Sequence, residues 1–412
     1  MAPTQATGLG IYQNPGTISK HGLTLYRLDR NMKKSNIILL FISFFLVIIN
    51  ANGTENETSA YTGSDTCQAC HEEAYNSWKS SKHAGEFKTD QADSQTCNIC
   101  HSTGLTSTNQ HPVENNVGCE ACHGPGEEHI SSGGAVDKIV KNKSADICGR
   151  CHNGNKSDSI TGILEFKPGM KLSEIKGLNL ISVSPDKTPP HFKDVHPSLT
   201  YNMWLASGHS KIPDRDIEIN GKRWEGPVTC AACHNPHYSE NTAQLVMNPK
   251  ELCKSCHFQG AVLKGFGAKG IEETRSLHTA APCVACHMTE KNHLMKMLRP
   301  DDPTLSEDRL DSCSACHEIK DRKMRSRQLQ DMESWYKEAV EPVQNELKVI
   351  EAKLKDNPDI LNTELKAKLD DVKANLSIIL NDGSNGVHNL DYALEIMYRA
   401  KRQLKKIKDS IQ

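Results

Sequence analysis

Val117-Gly118-Cys119-Glu120-Ala121-Cys122-His123-Gly124-Pro125-Gly126 holds the pattern on which the reading of this chain turns. Two cysteines stand three apart and histidine follows at once. The same arrangement occurs at Cys67-Cys70-His71, Cys97-Cys100-His101, Cys148-Cys151-His152, Cys230-Cys233-His234, Cys253-Cys256-His257, Cys283-Cys286-His287 and Cys313-Cys316-His317. All sixteen cysteines of the 412-residue chain are used, and none is left over. An even cysteine count often signals disulfides, but this spacing overrules that default. Cys₄ zinc sites also use C-x-x-C pairs, yet zinc gives no reason for histidine after every second cysteine. Redox dithiols share the pair, and eight of them in one chain lack a rationale. C-x-x-C-H is the attachment signature of c-type haem. Two thiols add across the vinyl groups on one edge of the porphyrin, so they stand about one helical turn apart. The next residue then lies under the ring, where its imidazole binds iron. The expectation is eight covalently bound c-type haems, with His71, His101, His123, His152, His234, His257, His287 and His317 as proximal ligands.

Nineteen histidines are present. Setting aside the proximal ligands and His21 leaves His83, His111, His129, His191, His196, His209, His237, His278, His293 and His388. Eight bis-histidine haems need eight of these, and methionine is a poorer source. His129, His237 and His293 each follow a motif by a few residues. So short a tether does not wrap a porphyrin edge to the opposite face of its own haem, so each is expected to ligate a neighbouring one. Trp78-x-x-Ser81-x-His83 recurs as Trp204-x-x-Ser207-x-His209, both in stretches that read as helical. His278 precedes the seventh motif, and His388 sits in a turn before the last helix. These seven (83, 129, 209, 237, 278, 293 and 388) have positional support as distal ligands. The eighth falls to His111, His191 or His196.

The first cysteines cluster at 67, 97, 119 and 148 and again at 230, 253, 283 and 313. Gaps of 22 to 30 residues within each cluster are too short for a separate domain around each haem, so neighbouring haems must share walls. The fold class expected is mainly α with extensive loop: two tetrahaem clusters and a C-terminal three-helix segment. The boundaries are 54–160 and 229–320 for the clusters, with a connecting segment at 161–228 read as mostly loop. Ile175 to Val183 reads there as a short strand or turn. Beyond 320, Met332, Tyr336, Val340, Val343, Leu347, Ile350 and Leu354 recur at spacings of three and four. Pro342 is expected to kink that helix, and Asn357-Pro358 to end it. Leu365 to Ile379 and Ala393 to Ile407 mark two more helices. Residues 321–412 thus read as a bundle, open either to self-association or to covering the chain's own haem core.

Lys and Arg total 49 against 51 Asp and Glu, so no charge excess points to nucleic acid. Aromatic residues make up only 5%, thin for an ordinary core and compatible with porphyrins supplying apolar bulk. Ile37 to Ile49 is a short apolar run after Lys33-Lys34, with small residues following. It reads as a signal peptide and is short of the ~20 residues of a spanning helix. Residues 1–53 are therefore expected to be a presequence, and the chain exported to the periplasm or beyond.

These motifs resemble the multihaem cytochrome c superfamily that includes hydroxylamine oxidoreductase, octahaem reductases and ammonia-forming nitrite reductase. Residues 117–126 resemble a motif of the tetrahaem cytochromes of nitrifiers, and Val228 to His237 resembles motifs of decahaem electron carriers. His196-Pro197 with Trp204 and His209 is similar to a nitrite reductase stretch carrying an active-site histidine, and Gly386 to Met397 to its late distal-ligand segment. The departures are the absence of a C-x-x-C-K site and of any locally marked cross-linking tyrosine. The resemblance implies an electron carrier working between respiratory redox partners such as quinol-linked cytochromes. Its alternative is an oxidoreductase for a small nitrogen or sulfur oxide at one open haem, the fourth. His196 and Asp194 would then supply protons there.

Overall fold

A computed structural model of the chain describes residues 60–86, 94–107, 111–154, 162–190 and 199–411. The expected presequence 1–53, and with it His21, lies outside the described residues, as do His191, Asp194 and His196.

Each attachment motif folds as a single helical turn. The histidine N–H donates to the carbonyl of the first cysteine, at 2.9 Å for Cys67, Cys230, Cys253 and Cys313 and 3.0 Å for Cys148. That turn brings both thiols to one side. Local side chains start it: Ser144 Oγ accepts from the Asp146 N–H, and Asp311 accepts from the N–H groups of Cys313 and Ser314, the usual way to satisfy the first amides of a helix. At Gly149, between the two cysteines of the fourth motif, an added Cβ would collide with Tyr201 and Leu172. Only glycine admits such close approach.

The repeat around Trp78 and Trp204 is a repeat of structure as well. Helix α1 (Glu72–Lys79) carries Tyr75 and Trp78; helix α2 (Thr200–Ala206) carries Tyr201 and Trp204. Trp78 donates to the Val117 carbonyl at 3.0 Å and Trp204 to the Val228 carbonyl at 3.1 Å, each just ahead of a motif. Tyr75 and Tyr201 donate to Asp65 and Asp146, each two residues before a motif's first cysteine. One unit is thus used twice, and each copy pins two attachment sites together.

The connecting segment, read as mostly loop, carries regular structure at two places. Besides α2 it holds an antiparallel hairpin, β1 (Arg215–Ile219) with β2 (Lys222–Gly226), paired from Arg215↔Gly226 to Ile219↔Lys222. Its two-residue turn, Asn220-Gly221, has positive φ at both positions, as a hairpin turn twisting with its strands requires. Around Ile175 the chain makes a turn and no strand.

The largest apolar core lies in the tail. Helices α3 (Arg322–Asp356), α4 (Thr363–Asp382) and α5 (Leu390–Ser410) bury Tyr336, Val343, Ile350, Leu369, Val372, Leu376, Ile396, Met397 and Leu404 among themselves. Pro342 lies inside α3, which runs on as one helix through it. Gly383, left-handed at φ 73°, ends α4, a common helix stop. The bundle is tied to segment 259–275: Asn389 Nδ2 donates to the Val262 and Thr274 carbonyls, Asn375 exchanges two hydrogen bonds with Lys269, and Tyr392 accepts from the Ala268 N–H. Among the described residues no helix is long and apolar enough to cross a membrane.

Candidate metal centres

The histidine rings come in facing pairs. His71 faces His129 at 6.2 Å between ring centres, His123 faces His237 at 6.2 Å, and His234 faces His293 at 6.2 Å. His83 faces His152 at 6.5 Å, His209 faces His257 at 5.8 Å, His278 faces His317 at 6.4 Å and His287 faces His388 at 6.1 Å. Two metal–imidazole bonds of about 2.0–2.1 Å, each with about 1 Å from nitrogen to ring centre, span about 6 Å. The gap therefore has room for one metal atom and for the plane of a macrocycle around it. Each pair joins a histidine that ends a motif to one that does not. His129, His237 and His293 each pair with the histidine of a motif other than the one they follow. His101, the remaining motif histidine, and His111 are each in contact with another group.

Backbone carbonyls orient these rings. Nδ1 of His123, His129, His234, His287 and His293 donates to the carbonyls of Val140, Ala135, Ala243, Met295 and Lys291, at 2.7 to 3.1 Å. A proton fixed on Nδ1 leaves the Nε2 lone pair free for a metal. Burial, helped by His83, pushes the His152 ring down to about 4. Burial likewise lowers His83, His209, His237, His287 and His293. These rings are neutral at pH 7, the state that binds metal.

All sixteen cysteines are free of disulfides, and cysteines of different motifs abut. Cys119 raises the Cys67 thiol, Cys151 raises Cys100, Cys230 raises Cys148 and Cys283 raises Cys253, as close neighbouring thiols do. Burial, then Cys148 and Cys151, pushes Cys122 up to about 12; burial, then Cys256, pushes Cys233 up to about 11. Burial followed by Cys316 raises Cys286. Backbone contacts hold the junctions. Buried Glu120, inside the third motif, accepts from the N–H groups of Thr62 and Gly63 beside the first. Ser312 Oγ, beside the eighth, donates to the Cys286 carbonyl of the seventh.

The residues present fit haem. Paired thiols would attach the group, and imidazoles of the paired histidines would be available to its iron. A cavity of about 450 Å³ lies between Cys70-His71 and Asn235–His237. The buried Nε atoms of Arg150 and Arg325 lack hydrogen-bond partners and stand near attachment cysteines. Among the described residues no three His, Cys, Asp or Glu side chains converge as ligands for a bare ion.

Known proteins carry the same signature. The family described as cytochrome c554 and c-prime matches residues 66–124, and the doubled CXXCH motif family matches 225–261. Multiheme cytochrome MtrA of Shewanella baltica is 26% identical over 208 residues, covering 47% of this chain and 53% of that protein. Cytochrome c-554 of Nitrosomonas europaea is 28% identical over a 110-residue alignment, covering 20% of this chain and 47% of that protein. The chain spans about half the length of these curated relatives. The crystal structure of the outer cell wall cytochrome OcwA superposes with a TM-score of 0.64 at 22% identity, over 84% of this chain and 100% of that one. That likeness is one of fold.

Proposed function

The chain belongs to the multihaem c-type cytochromes, and from that premise we propose that it is an exported electron relay with eight covalent haems closed by histidine on both sides. The facing pairs carry the reading. In it His129, His237, His83, His293, His209, His388 and His278 are the distal partners of His71, His123, His152, His234, His257, His287 and His317, and His111, His191 or His196 completes the site of His101. Each haem supplies a one-electron carrier. The protein's share is to hold every axial position with a neutral, oriented imidazole, and to set neighbouring attachment sites edge to edge.

The abutting cysteines support one continuous order: the first site beside the third, then the fourth, fifth, sixth, seventh and eighth, with the second branching from the fourth. In this reading the two clusters of four, 54–160 and 229–320, meet where Cys148 neighbours Cys230. Redox proteins at either end are the partners this order calls for. Each distal ligand supplied from another motif's segment staples two sites, so order along the chain and order in space are locked together. In this reading the bundle 321–412 covers the seventh site and delivers His388 to it.

The test is the intact mass of the exported protein. Eight haems above the polypeptide mass are expected; a chain short by two or more overturns the use of every motif. Replacing His388 by alanine should leave that mass intact and create one high-spin iron, and an unchanged spectrum would remove His388 from the ligand set.

A further inference from the structure

The last two sites differ in what touches their ligands from behind. His388 donates from Nδ1 to Oδ1 of Asp382 at 2.7 Å, and the Asp382 side chain is only 4% exposed. The other Asp382 oxygen accepts from Ser384, whose Oγ also accepts the His388 N–H at 3.1 Å. Among the described residues this is the one carboxylate bonded to a ring nitrogen of the seven facing pairs. Lys254, which like His388 acts on the Cys283 thiol, is paired with Glu251 at 2.8 Å. At the eighth site the contact has the opposite sign. Arg325 Nη2 lies 3.2 Å from Nδ1 of His317, while its Nη1 donates to Gln328. A guanidinium can only donate, and so must an Nδ1 whose ring binds metal through Nε2. The positive charge there meets an N–H with no acceptor between them. The buried Asp311 close by is matched by Arg322 at 3.0 Å.

We propose that Asp382 and Arg325 set a potential step between the last two haem sites, low at the seventh and high at the eighth. The inference rests on the bis-histidine reading above. A carboxylate on a ligand imidazole pushes charge onto the ring and raises its basicity, which favours the more positive, oxidised iron. A guanidinium in the same place favours the reduced iron. An electron shared by the two sites therefore rests at the eighth, a single electron passing from ferrous to ferric iron with no bond or proton moved. Asp382 and Arg325 are positioning residues in this account, because both act through a histidine.

The experiment is a potentiometric titration followed by EPR on the full haem-loaded protein, with Asp382→Asn, Asp382→Glu, Arg325→Gln and His388→Ala. Asp382→Asn should keep all iron low-spin and move one haem to higher potential, changing the electron's distribution between the two sites on the order of tenfold. Asp382→Glu should restore part of the shift. Arg325→Gln should move a different haem to lower potential, and it stands as the test if Asp382→Asn does not fold. Potentials unmoved or shifted the other way, while His388→Ala creates high-spin iron, would overturn the step and leave the ligand reading intact. No high-spin iron in His388→Ala would overturn the ligand reading, and the step with it.

Discussion

The part of the chain that carries the motifs and the tail that follows are stabilised in different ways. In the tail, residues 336–411 supply all but Val262 and Ala268 of one apolar cluster, with Val372, Ile350, Tyr392 and Leu404 fully buried. Before residue 320 the remaining clusters are small: one around Leu172 and Tyr201, one of Leu199, Met203 and Leu294, and one of Ile219, Ala232 and Leu252. Side chains alone do not make a core there. Facing imidazoles and half-buried thiols surround spaces a flat apolar group would fill, so the cofactor is the missing core. A helical bundle closes on itself by ordinary hydrophobic burial; the haem region closes on what is attached to it.

The contrast can be broken most forcefully by withholding haem. A chain made without attachment should lose the tertiary structure of 60–320 and keep much of the helical signal of α3, α4 and α5, seen by circular dichroism and protease mapping. Loss of both regions together would mean that the bundle has no stability of its own. The next effect is smaller and confined to the tail. Ile350→Ala removes a fully buried side chain and should cost about 2–5 kcal/mol, read by denaturant unfolding of the bundle. Haem content should stay at wild type, because the attachment turns do not pack on Ile350. The smallest effect sharpens the comparison inside the haem region. The ring planes of His71–His129, His123–His237 and His234–His293 meet at 19°, 26° and 27°, whereas His209–His257 and His278–His317 cross at 89°. The low-angle pairs are those whose distal histidine is tethered closely behind a motif. Three rhombic low-spin EPR components and at least two with one very large g value are expected. A spectrum of one type only would contradict that division.

Much of the site was legible because it is written locally. A C-x-x-C-H run needs nothing but its own turn, and the tether length argued His129, His237 and His293 away from their own motifs; their rings pair with His71, His123 and His234. The 3–4 spacing from Tyr336 to Leu354 marked a face that α3 buries at Tyr336, Val343, Ile350 and Leu354. What escaped is either nonlocal or was outweighed. Asp382 lies six residues from His388 but reaches it only because Gly383 reverses the chain. Arg325 meets His317 only once α3 has formed. Tyr75 and Tyr201, each three residues before the repeated tryptophan, were visible as a repeated spacing and were not singled out. The hairpin had its Asn220-Gly221 signal, but glycine, proline and lysine around it argued for loop.

The most direct test of the account is the low-temperature EPR spectrum of the oxidised native protein, recorded before and after adding hydroxylamine, nitrite or sulfite. A relay closed by histidine on both faces of every haem predicts low-spin iron alone and no change with any of the three. One high-spin signal that shifts on addition would contradict it, opening a haem to substrate and giving His196 and Asp194 a proton-donating role beside it.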